Sequence, residues 1–160
     1  MKSQQDDIFG VWGLISYDLY DASNVSGEIL SQPMGPSPLG RIMLMPSGYI
    51  CATLTSPDTS AETESPEWHS TSDSKLLNAA PKAMISYSGP FKLYEENGET
   101  NLATDVKIAL NPNWIGTSQV RRVELRSEDS KTLMTLTPAQ DFIMPVSILS
   151  FSFLKILFQY

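Results

Sequence analysis

The side chains in this sequence that can do chemistry unaided are mainly phenols and guanidiniums. There is one histidine, His69, and one cysteine, Cys51. A zinc site wants several nitrogen or sulfur ligands, so no metal centre is expected and no cofactor is implied. Nothing resembles a phosphate loop, a nucleophile elbow or a dinucleotide fingerprint. What remains is Tyr17, Tyr49 and Tyr87, the arginines Arg41, Arg121 and Arg122, and the carboxylates Asp18 and Asp105. A phenol can donate or accept a proton without a metal. Beside a guanidinium and a carboxylate it can polarise a carbonyl and shift a proton, as in enolisation or cyclisation. Arg121, Asp105, Tyr87 and Arg41 are therefore the expected orienting and proton-transfer residues. The plainer reading makes each tyrosine a packed ring with a wet hydroxyl and each arginine a solvated surface charge.

These groups can meet only if strands turn them to one face. Arg121 shares a two-residue phase with Val123 and Leu125, which places it inward and Arg122 outward. An inward Arg121 needs a carboxylate or a ligand anion, because an unpaired buried charge is costly. Glu124 has the wrong phase, so Asp18 and Asp105 are the expected partners. Arg41 is in phase with Met43 and Met45, whose flexible thioethers suit either an adaptable ligand wall or plain core. Cys51 has no cationic neighbour in sequence and reads as a small hydrophobe.

The strands themselves are readable. Residues 9–20, FGVWGLISYDLY, are rich in aromatic and β-branched types, and only one of their two alternating sets can face inward. Residues 31–40 hold too many prolines and glycines for a helix. RIMLM, a turn at Pro46–Gly48 and YICATL form a hairpin signal. Residues 56–82 are a long polar excursion, with one short helix expected over 73–79. Strands follow over 83–95, 100–110, 118–127 and 131–137, separated by turns at 96–99 and 127–130 and by the NPNW loop at Asn111–Trp114. Short strands at this spacing indicate an antiparallel sandwich or barrel.

Composition removes several function classes. Eighteen acidic against 11 basic residues give a net charge of −7, which argues against nucleic acid and disfavours anionic membranes. The lone cysteine and the polar opening MKSQQDDIFG point to the cytoplasm. The body is expected over 1–141. The almost continuously apolar tail, 142–160, reads as one or two closing strands. A membrane anchor is a second reading, interrupted by Pro145, Lys155 and Gln159, and an artefact of gene prediction a third. Left exposed, it would invite homodimerisation.

GVWGLISYDL, PLGRIMLMPSGYICA, YSGPF and NPNWIGTSQVRRVEL occur in that order, and together they resemble the lipocalin-like domain family. The resemblance implies an all-β, antiparallel up-and-down barrel with an internal cavity. It also implies that Trp12 plugs the barrel floor, with an arginine near the C-terminal strands packed across its ring. Relatives carry a histidine just before the NPNW loop, where this chain has Thr104 and Asp105. The closing strand also departs from the family pattern. Trp12, Met43, Met45, Tyr49, Trp114 and Tyr17 are then the expected contacts of a small hydrophobic or aromatic molecule. Trp114 either stacks on it at the rim or covers the barrel end, and His69 is either a lid acid–base or idle. The function expected is a cofactor-independent isomerase or cyclase acting on an apolar natural-product intermediate; the alternative is a non-catalytic carrier.

Overall fold

The computed structural model describes residues 7–21, 28–57, 74, 84–139 and 147–156. Side-chain alternation sets the architecture. In β3 (Leu39–Met45) Ile42 and Leu44 are buried, while Arg41, Met43 and Met45 are exposed. β4 (Tyr49–Thr55) buries Ile50, Ala52 and Leu54. β5 (Met84–Glu96) buries Tyr87 and Phe91, and β6 (Glu99–Asp105) buries Leu102 and Thr104. β8 (Ser118–Glu128) turns in Arg121 and Val123, and β9 (Lys131–Pro138) turns in Met134 and Leu136.

With β1 (Gly10–Asp21) and β10 (Ser147–Ile156), these strands run in the order β1-β3-β4-β5-β6-β8-β9-β10, and β10 pairs back onto β1. The result is a closed, antiparallel, eight-stranded barrel. Two short strands add to it: β2 (Ile29–Ser31) on β1 and β7 (Ile108–Ala109) on β5. Tight turns join the long strands, with positive φ at Asn97 (53°) and Gly98 (78°) between β5 and β6, the backbone twist that two-residue hairpins favour.

The pairing of β1 with β10 slips between Leu14 and Ser16. Ile15 is the extra residue of this bulge and stands exposed. A bulge shifts the phase of a strand by one residue. Trp12 and Leu14 therefore face inward before it and Tyr17 after it, so both alternating sets contribute to the interior.

The apolar tail supplies the closing strand. β10 pairs with β9 from Phe151↔Leu136 to Leu154↔Leu133, and with β1 from Val11↔Ile156 to Asp21↔Ser147. Both of its edges are thereby occupied. No helix among the described residues is long and apolar enough to cross a membrane.

The β10 C-terminal end also completes the barrel floor. Trp12 is 0% exposed, and its Nε1 donates to the Ile8 carbonyl at 2.8 Å. Lys155, directly opposite Trp12 in register, holds its Nζ 5.4 Å from the indole centroid and donates to the Asp7 carbonyl. The cation over the tryptophan is thus this lysine, not the expected arginine. β10 is a neighbour of β1 and β8 is not.

Candidate functional site

The end of the barrel opposite Trp12 gathers the polar interior. Tyr17 arrives there because of the β1 bulge. Tyr87 comes from the first half of β5, Thr104 from the last turns of β6, and Gln119 and Arg121 from the start of β8. Antiparallel pairing brings these strand ends together: Leu102 lies opposite Arg121, and Thr104 opposite Gln119.

Over them sits a loop that the sequence shapes closely. β6 ends at Asp105, where the chain passes close against Gly89 of β5. A Cβ on Gly89 would lie 2.0 Å from the Asp105 carbonyl oxygen, so no larger residue fits without moving backbone. Beyond Asp105 the chain continues along the edge of β5: Lys107 N–H donates to the Ser88 carbonyl at 2.9 Å and Leu110 N–H to the Ser86 carbonyl at 2.8 Å. A 3-10 turn follows at Pro112–Trp114. The Asn111 side chain caps it, accepting from Asn113 N–H at 3.1 Å, and Pro112 fits its first position. Thr117 Oγ1 donates to the Trp114 carbonyl at 2.7 Å. Held this way, Trp114 meets the Tyr87 ring edge-on, at 5.8 Å and 75°. Ile108, Leu110 and Ile115 of the same loop are exposed.

Arg121 is the only arginine among the buried residues described, at 8% exposure. Its Nη1 donates to the Val120 carbonyl at 3.0 Å and its Nη2 to Gln119 Oε1 at 3.2 Å. Both acceptors are neutral, and among the described residues no carboxylate forms an ion pair with it. Its charge is felt by both phenols. Burial pushes the Tyr17 and Tyr87 hydroxyls above the ordinary value of 10.0, and the Arg121 charge offsets part of that rise. Both therefore stay protonated near neutral pH. Thr104 is 0% exposed and its Oγ1 has no hydrogen-bond partner.

Several expected site residues lie elsewhere. Asp105 is exposed on the outer face and pairs with Lys107 at 2.6 Å; strand alternation sets it opposite to Thr104. Asp18 is buried, but on the far side of β1 from Tyr17, where Gln32 Nε2 donates to it at 2.9 Å and Tyr20 at 3.5 Å. Arg41 is exposed, with Nη1 donating to the Gly40 carbonyl at 2.7 Å. Met43 and Met45, in phase with it, are 42% and 41% exposed and line the outside, because Ile42 and Leu44 took the inner positions. Tyr49 is outward as well, sharing a 3.4 Å hydrogen bond with Ser88, since Ile50 occupies the inner phase of β4. Arg122 is outside, as its phase predicts, paired with Glu99 at 2.8 Å. His69, Trp68 and the short helix expected over 73–79 lie outside the described residues, apart from Ser74.

The set brought together is thus Tyr17, Tyr87, Trp114 and Arg121, joined by Thr104 and Gln119, to which the sequence reading gave no role. Thr104 carries a signal of its own: it stands in phase with Leu102 and Val106, a hydroxyl in an otherwise apolar inward row. Tyr87, Phe91, Leu102, Val123 and Leu136 supply apolar surface around the polar groups. No group of three or more potential metal ligands occurs among the described residues.

A family model described as a lipocalin-like domain matches residues 9–143, most of the barrel up to but not including β10. No curated protein and no solved structure matches the chain.

Proposed function

The chain belongs to the lipocalin-like domain family, and from that premise we propose that it binds a small, mainly apolar molecule in the half of the barrel between Arg121 and Trp114. Barrels of this strand number enclose side chains or one small ligand, and the fold suits small hydrophobic guests. Sites of that kind pair apolar walls with a few placed polar groups. The observation that carries the reading is the convergence, at one end of the barrel, of two inward phenols and a buried guanidinium beneath a tryptophan-bearing loop. At the other end the Trp12 N–H is already spent on Ile8, which leaves the Trp114 end as the way in. We place the protein in the cytoplasm on its single cysteine.

A titration with the neutral fluorophore N-phenyl-1-naphthylamine tests this reading. Saturable enhancement is expected at roughly micromolar affinity, weakened when Leu102→Asn puts an amide on the inner wall. A probe whose emission stays at its aqueous value throughout would refute it.

A second reading adds conversion to binding: a cofactor-independent isomerase or cyclase of an apolar natural-product intermediate. The phenols of Tyr17 and Tyr87, held protonated beside Arg121, favour it, because such donors polarise a carbonyl. Asp105, the carboxylate expected among the orienting and proton-transfer residues, faces outward. A carrier therefore accounts for the interior with fewer groups. Incubation with enone and polyene intermediates, followed by mass spectrometry and NMR, separates the two: any product formed faster than in buffer and lost in Tyr87→Phe supports conversion, and unchanged starting material excludes it for those compounds.

A further inference from the structure

Two interior groups lack the partners that their burial demands. The first is Arg121. Removing a guanidinium from water costs several kcal/mol unless a counter-charge and full hydrogen bonding replace the lost hydration. Here it finds only two neutral oxygens, the Val120 carbonyl and Gln119 Oε1, and no carboxylate among the described residues. The second is Thr104 Oγ1, fully enclosed and without a partner, although buried polar atoms are almost always paired.

The two are neighbours. Thr104 lies directly opposite Gln119, and Arg121 is two residues further along the same face of β8. Diagonal positions of this kind are about 7–8 Å apart at the backbone. The guanidinium leans back toward Gln119, hence toward the Thr104 row, since its Nη2 is hydrogen-bonded to that side chain. A planar guanidinium matches the two oxygens of a carboxylate, and a threonine hydroxyl at the side can donate a further hydrogen bond.

We propose that the ligand of this barrel is an apolar acid, whose carboxylate is bound by Arg121 and Thr104 and whose body lies against Tyr87 and Trp114. This rests on the binding function proposed above and adds its chemical class. The anion supplies the charge that Arg121 lacks and the acceptor that Thr104 lacks. The tyrosine hydroxyls, neutral because burial raises them, add no competing negative charge.

Naphthalene-2-carboxylate and naphthalene-2-carboxamide, equal in size and differing in charge, test the assignment. Each is titrated by calorimetry and in competition with N-phenyl-1-naphthylamine. The wild type should prefer the carboxylate by about tenfold or more, the scale of one charge-assisted hydrogen bond. Arg121→Met, an apolar replacement that a barrel interior tolerates, should bring that ratio close to one. Thr104→Val, nearly the same shape, should reduce it by a smaller factor. Equal affinity for both compounds in the wild type would overturn the proposal while leaving the binding function in place. So would a preference that survives in Arg121→Met. If neither compound nor the neutral fluorophore binds, the binding function itself fails, and this assignment with it.

Discussion

At Tyr87 and Tyr17 the same two forces act in opposite directions. Burial favours the neutral phenol, and the Arg121 charge favours the phenolate; burial is the larger of the two. A phenol whose folded value lies above its unfolded one holds its proton more tightly in the folded chain. Its contribution to stability is fully present below the unfolded value of 10.0 and is lost as pH rises through the folded value. The protein should therefore show no loss of stability from this source between neutral pH and about pH 10, and a steepening loss above it. In an absorbance titration at phenolate wavelengths, Tyr17 and Tyr87 should ionise above the ordinary range, and Tyr17→Phe/Tyr87→Phe should diminish that late step, leaving the part contributed by Tyr20, which burial and Asp18 also raise. Six tyrosines titrating in one ordinary transition would show these hydroxyls to be wet. At this scale some of the site was legible. Arg121 stood in phase with Val123 and Leu125, and its placement followed from that alone. The same alternation sets Asp105 apart from Leu102 and Thr104, so its exclusion was also available in the sequence. Met43 and Met45 were a harder case: both phases of RIMLM carry large apolar residues, and although Arg41 shares the phase of the methionines, it is the burial of Ile42 and Leu44 that decides between them.

Strands and their joints carry the next level. The close approach of the Asp105 backbone to β5 depends on Gly89, whose missing side chain admits the Asp105 carbonyl. This contact lets the 106–117 loop fold back and carry Trp114 to Tyr87. Gly89→Ala should destabilise the fold by roughly 1–3 kcal/mol or more, the range for overpacking against groups that cannot move aside. Chemical denaturation would measure it, and the Trp114 environment should change in the same variant; a midpoint equal to wild type would show that the loop is not packed as described. The strand pattern and turns between β3 and β9 could be read from alternation, from Gly48, and from the Asn97-Gly98 pair. The β1 bulge could not. FGVWGLISYDLY carries aromatic and apolar residues in both phases, and the slip at Ile15 is fixed only by the strand opposite. Nor could the tail be assigned with certainty, because a continuous apolar run has no period to separate a strand from a helix or an anchor. Pairing on both edges resolves it as β10.

Across the whole molecule, the two ends of the barrel are built differently. The Trp12 end is closed by a hydrogen-bonded indole, a lysine over its face and the buried Phe153. The Trp114 end holds Thr104, whose buried Oγ1 has no hydrogen-bond partner, and Arg121, bonded only to neutral oxygens among the described residues, under a loop with exposed apolar residues. A net charge of −7 surrounds an interior whose guanidinium has no ion pair among the described residues. Under the proposed function that asymmetry sets a direction: a guest would enter at the Trp114 end and stop above Trp12. Contacts from N-phenyl-1-naphthylamine to an isotope-labelled protein, recorded as isotope-filtered nuclear Overhauser effects, test this most directly. The account predicts signals from the probe to the rings of Tyr17, Tyr87 and Trp114 and none to Trp12. Signals confined to outward residues such as Met43 and Met45, or to the Trp12 indole, would contradict it.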